Sequence, residues 1–172
     1  GRGDRCWAAA TLQAVMPGLP LLAHGQVEGL DERYGMEFQR PRRDETPNAP
    51  MTAMHDRHIL PLLKRRDLFG RAENFRLFEM RGTDGGRLVS VYAIANNRAD
   101  DRALVVVNCS EDAVWGRIHR SCPTQVNGVL VQQSLSEALG LVAGANRWVG
   151  MHDHRTSLGL LQLQLQSSPR PG

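Results

Sequence analysis

With 172 residues, 41% of them apolar and 23% charged, the chain is long enough for one well-cored domain or two partial ones. Its net charge of +3 rests on arginines and one lysine, Lys64, and Asp44, Asp67 and Glu73 dilute every basic cluster, which argues against a nucleic-acid partner. No apolar run approaches the ~20 residues needed to span a bilayer, so no membrane partner is expected, and three cysteines without metal or redox spacing favour a reducing, cytoplasmic setting.

Asp4 is placed to cap a helix over about Arg5–Met16, with Trp7, Ala10, Thr11, Ala14 and Val15 on one face. Pro17-Gly18 stops it, because proline cannot continue a helix and glycine tolerates a left-handed turn. Pro20-Leu-Leu-Ala-His24 is a short apolar run opened by proline, the pattern of a strand buried on both faces. After Gly25 come Gln26, Glu28, Asp31, Glu32, Arg33, Tyr34 and Glu37. Polar groups released at the carboxyl end of a buried strand form the rim of an active site in parallel α/β proteins. Little periodicity follows until Pro50, so an elaborated loop is expected there.

Met51–Arg66 reads as a second helix, with Ile59, Leu62 and Leu63 at helical spacing and Pro61 kinking it or marking its start. Past Asn74 the period becomes strand-like. Phe75–Met80, Val89–Ala95, Ala103–Asn108, Trp115–His119 and Val129–Gln132 are β-prone and separated by turn residues, which predicts an antiparallel sandwich. Ser134 and Glu137 spell a capping box before a short helix ending at Gly140, and Leu158–Gln166 alternates leucine with glutamine.

The stretch Met16–Phe38 resembles the end of the catalytic barrel in the α-amylase family, glycoside hydrolase family 13. Pro17, Gly18, Pro20, His24, Gly25, Gln26, Glu28, Gly29, Glu32, Tyr34, Gly35, Met36 and Glu37 fall on one subgroup's pattern, with Ala23 where that subgroup usually has glycine. His58–Arg66 resembles the barrel's last helix. "ENFRLF", "VYAIANNRADDRALVVVN" and "WVGMHDHRTSLGLL" resemble stretches of the all-β domain that follows. The resemblance implies an α+β chain: the last helix-strand-helix of a (β/α)8 TIM barrel over residues 1–73, then an incomplete antiparallel β-sandwich over 74–166. A disordered tail is expected over 167–172. It also implies a retaining glycoside hydrolase or glucanotransferase acting on the α-glucosidic bonds of α-glucans.

The family's three catalytic carboxylates follow barrel strands four, five and seven, all before Gly1, so no catalytic residue is assigned here and the chain alone is expected to be inactive. Gln26, Glu28 and Tyr34 are the candidate sugar contacts, with a bracing role for Glu28 as the alternative. Glu28, Asp31, Glu32 and Glu37 as an independent acid–base pair is the weaker reading, because such work needs a fixed geometry. His55-x-x-His58 and His152-Asp153-His154 each lack a third ligand, so neither a metal nor a cofactor is expected. His24 reads as a structural histidine, Arg2-Gly3-Asp4 as a chance tripeptide, and Trp115 as a core aromatic rather than a carbohydrate platform. A competing reading is a non-catalytic β-domain that binds α-glucan or a protein partner.

Overall fold

A computed structural model describes residues 2–32, 39–141, 147–154 and 160–165. The expected tail lies outside them. Helix α1 (Arg2–Val15) buries Ala10, Ala14 and Val15, three of the five residues assigned to its inner face. It begins at Arg2, so Asp4 sits within its first turn rather than capping it.

Asn48 caps α2 (Ala49–Met54) by accepting the Met51 N–H at 3.1 Å. The helix then widens into a π turn (His55–Ile59) and returns to α geometry in α3 (Leu60–Leu63). Pro61 accounts for this. It has no N–H to donate and its ring crowds the carbonyl of the preceding turn, and the wider turn, in which the Leu60 N–H reaches the His55 carbonyl, absorbs that crowding. A short helix α4 (Arg66–Phe69) and a 3-10 turn (Ala72–Asn74) lead into the sheet.

That sheet is antiparallel, ordered β3-β2-β1-β4, from β1 (Phe75–Gly82), β2 (Val91–Arg98), β3 (Asp101–Asn108) and β4 (Gly116–Ser121). Its register runs from Arg98↔Asp101 to Val91↔Asn108 between β2 and β3, and β1 is irregular against β4 between Phe78 and Met80. Both faces are covered by helical segments. On one side Ile94, Phe75, Leu77, Ala103 and Val105 meet Val15 of α1 and Leu68 and Phe69 of α4. On the other, Phe78, Met80, Val91, Ala93 and Ala95 meet Ala138 and Leu139. Those two residues belong to or follow α5 (Leu135–Ala138), whose capping box forms with Ser134 and Glu137 as spelled in the sequence.

The remaining described strands make two separate ribbons, β5 (Thr124–Val126) with β6 (Val129–Val131), and β7 (Arg147–His152) with β8 (Leu160–Leu165). The β5–β6 turn carries Asn127 and Gly128 at positive φ, as its Asn-Gly dipeptide demands. The architecture is thus mixed α+β around one four-stranded antiparallel sheet.

The buried strand expected at Pro20–His24 does not form. Among the described residues every strand lies at or beyond Phe75, so this segment has no ladder to join. Its polar backbone is satisfied otherwise: the Leu21 carbonyl accepts from the Gln13 amide, and the Ala23 N–H donates to Gln26 Oε1 at 3.1 Å. Leu19 and Leu21 are 91% and 81% exposed.

Candidate functional site: the loop between the first two helices

The loop begins at the carboxyl end of α1, where the last carbonyls of a helix lack intrahelical partners. Arg66 supplies them. Its guanidinium donates to Ala14 O at 2.6 Å, Met16 O at 3.1 Å and Gly18 O at 2.7 Å. Gly18, at φ +99°, then turns the chain and donates its N–H to Gly70 O at 3.0 Å. From α1, Gln13 reaches across to both Leu21 and Gln26, accepting from Gln26 Nε2 at 2.7 Å.

Gly25 allows the next bend. It is buried at φ +69°, and a Cβ there would stand 2.7 Å from Leu30 Cβ. The Leu30 N–H closes the bend on Gly25 O at 2.9 Å, and Asn48 N–H donates to Glu28 O at 2.7 Å, tying it to the start of α2.

Two carboxylates complete the loop by serving backbone donors. Glu45 accepts the N–H groups of Asp31 at 2.7 Å and Glu32 at 2.9 Å. Glu32 in turn accepts those of Arg42 at 2.8 Å and Arg43 at 2.8 Å. The Arg42 N–H is the main cause that holds the Glu32 carboxyl below its ordinary value, with the Arg43 N–H and both guanidiniums adding to it. Between these clamps lies a hollow of about 150 Å³, lined by His24, Leu30, Glu32, Pro41, Arg43, Asp44 and Glu45.

This geometry sorts the sequence candidates. Gln26 spends both ends of its amide on Ala23 and Gln13, so it braces the loop. The Glu28 side chain is half-buried and, among the described residues, makes no hydrogen bond or ion pair, which leaves it open to a ligand. Its bracing role falls to its backbone carbonyl. Tyr34, Arg33 and Glu37 lie outside the described residues. Glu32 is committed to holding Arg42 and Arg43, a poor starting point for a proton-transfer group.

The other candidates fall elsewhere. His55 is buried, 1% exposed, with Nδ1 3.0 Å from the Met51 carbonyl, and His58 meets the Trp7 ring edge-on at 5.2 Å. No group of three metal-ligating side chains assembles among the described residues.

Trp115, expected in the core, is instead 81% exposed. It stands one residue outside β4, which begins at Gly116 on the edge of the sheet. Gly116 lies so close to β1 that a Cβ would meet Arg81 O at 2.5 Å.

Sequence reasoning missed Gln13, Glu45 and Arg66. All three act at long range, and no local signal distinguishes them from other polar helix or loop residues. No helix among the described residues is long and apolar enough to cross a membrane. No family model, curated protein or solved structure matches the chain.

Proposed function

We propose that the chain is the carboxyl-terminal portion of an α-amylase-type protein, a glycoside hydrolase or glucanotransferase acting on α-glucosidic bonds of α-glucans. Residues 1–73 would close a (β/α)8 barrel, and 74–166 would form part of its β-sandwich domain. The observation that supports this reading most directly is the Leu19–Ala23 segment. It is apolar and outside any ladder, with Leu19 and Leu21 almost wholly in water. Burying a leucine is worth roughly 1.5–3 kcal/mol, so a run of this kind suits a central strand whose neighbours belong to another part of the protein.

In that setting the chemistry belongs to carboxylates outside this chain, and the segment contributes one wall of the cleft. Glu28 is its hydrogen-bonding candidate and Tyr34 its stacking candidate. Gln26 acts from behind, by bracing the bend that carries Glu28. A second reading, a non-catalytic β-domain that binds α-glucan, is favoured by the exposed indole of Trp115.

An NMR titration with a maltooligosaccharide separates the two. A rim of this size should bind at about millimolar strength, equivalent to about 4 kcal/mol. Amide shifts centred on residues 24–32 support the barrel-rim reading. Shifts confined to residues 114–117 transfer binding to the β-domain, and a flat response at both places overturns both readings.

A further inference from the structure

The register of the sheet places three arginines at one level. Arg81 of β1 stands opposite Arg117 of β4 and bridges to Arg87 after the following turn. Directly opposed residues in an antiparallel pair share a face, and like charges so placed repel. One carboxylate answers them: Glu79 Oε1 lies 3.1 Å from Arg81 Nη2 and 3.5 Å from Arg87 Nε. Among the described residues Arg117 makes no ion pair or side-chain hydrogen bond, and Arg81 Nε is buried without a partner.

Beside Arg117 is a hollow of about 290 Å³, lined also by Gly82, Thr83 and Gly116. Asp84 does not fill the charge deficit on this face. Its carboxylate accepts the Gly86 N–H at 2.9 Å and lies where a Cβ on Gly82 would point. Successive residues of a strand point to opposite faces, so that is the side away from Arg81.

We infer that this level of the sheet is an oxyanion site, in which Arg117 and Arg81 bind a phosphate group seated in the hollow against Gly82 and Thr83. Three cations with one carboxylate leave two positive charges in excess. A guanidinium fork matches the spacing of phosphate oxygens, and the Thr83 hydroxyl adds a neutral donor. Gly82 and Gly116 contribute only backbone to the lining of the hollow. The phosphate could be free or part of an ester. Trp115, 81% exposed and next in the chain to Gly116, gives a flat apolar face for the rest of an ester. This site is independent of the α-glucan reading and lies on the sheet rather than on the Gly25–Asn48 loop.

Titrating the whole chain with inorganic phosphate at low ionic strength, followed by amide NMR, tests the assignment. The expected result is saturable shifts at Arg81–Thr83 and Gly116–Arg117 at about millimolar phosphate. Arg117→Gln should weaken binding by roughly tenfold or more, while Arg71→Gln, at an exposed arginine paired with Glu73, changes nothing. Both arginines are on the surface, so both variants fold. A hexose phosphate that binds more tightly than inorganic phosphate and alters the indole emission lost in Trp115→Phe identifies an ester as the ligand. Equal affinity without an emission change identifies free phosphate. Shifts spread equally over Arg42, Arg43 and Arg71, or unchanged affinity in Arg117→Gln, overturn the site.

Discussion

Replacing Arg66 with methionine isolates what holds the candidate loop to the rest of the fold. The substitution keeps most of the apolar stem and removes the guanidinium from Ala14 O, Met16 O and Gly18 O. The three bonds are not equal. Met16 O and Gly18 O are exposed, and water replaces most of what Arg66 gives them. Ala14 O is part-buried beneath the end of α1, where losing a charged donor costs roughly 1.5–3 kcal/mol. Adding a few tenths for each exposed bond places the total near 2–3 kcal/mol. With a urea slope of about 2 kcal/mol per M, the unfolding midpoint should fall by about 1–1.5 M. Arg66→Lys should recover less than half of that, because one ammonium cannot span three carbonyls as a planar fork does. Amide exchange should accelerate first at the end of α1 and at Gly18. A midpoint within about 0.2 M of the parent's, or full rescue by lysine, would refute the argument, that threshold being no more than about a fifth of the slope-based expectation.

Acid should loosen the structure at two carboxylates. The Glu32 carboxyl is lowered mainly by the Arg42 N–H, and that of Glu137 mainly by the Ser134 N–H and then its hydroxyl. Both are depressed, so their contribution is complete above the ordinary value of 4.5 and is lost as pH falls through the lowered values, and Glu32→Gln and Glu137→Gln should each flatten an acid titration of stability. Ala99 sits at φ +52° in the β2–β3 turn, where an L side chain costs about 1–2 kcal/mol. Glycine there adds back roughly 0.4–1 kcal/mol of unfolded-state freedom, so Ala99→Gly should stabilise by about 0.5–1 kcal/mol in urea melts, and a lower midpoint would contradict the turn geometry. Gly25→Ala should destabilise more than Gly29→Ala although both are at positive φ. The first meets Leu30 Cβ at 2.7 Å, which is fixed to its backbone, while the second meets Met51 Sδ, near the end of a flexible side chain, and Asn48 Cβ only at 3.2 Å, so equal losses would show that Leu30 yields.

What the sequence disclosed and what it withheld divide by range. The capping box at Ser134 and Glu137, the Asn127-Gly128 turn and the strands of the central sheet rest on neighbours a few residues apart, and the structure has them close to where periodicity places them. The α1 face was legible for the same reason, apart from its start. Pro20–His24 was not. Its composition reports the environment it suits, burial on two sides, but a strand exists only through partners, and the described part of this chain has none to offer it. Trp115 fails in the opposite way. A tryptophan in a β-prone run argues for the core, yet the ladder begins one residue later, at a glycine placed for close approach to Arg81.

The candidate loop shows the same division at the level of single side chains. Its acidic sequence invites a reading in which each polar group faces a substrate. Instead Gln26, Glu32 and Glu45 turn inward to accept from backbone N–H groups up to 14 residues away, and Gln13 and Arg66 reach the loop from helices that precede and follow it. A loop without regular structure must satisfy its backbone polar groups somewhere, and here side chains do it. The residues free to meet a ligand are therefore the remainder after that demand is met. Among the described residues the remainder includes Glu28, whose carboxylate is unspent while its own carbonyl holds Asn48. If the loop is a binding rim, removing that carboxylate with Glu28→Gln should weaken ligand binding and leave the urea midpoint unchanged. Gln26→Ala should do the reverse in order of cause, lowering stability first and binding only as the bend relaxes.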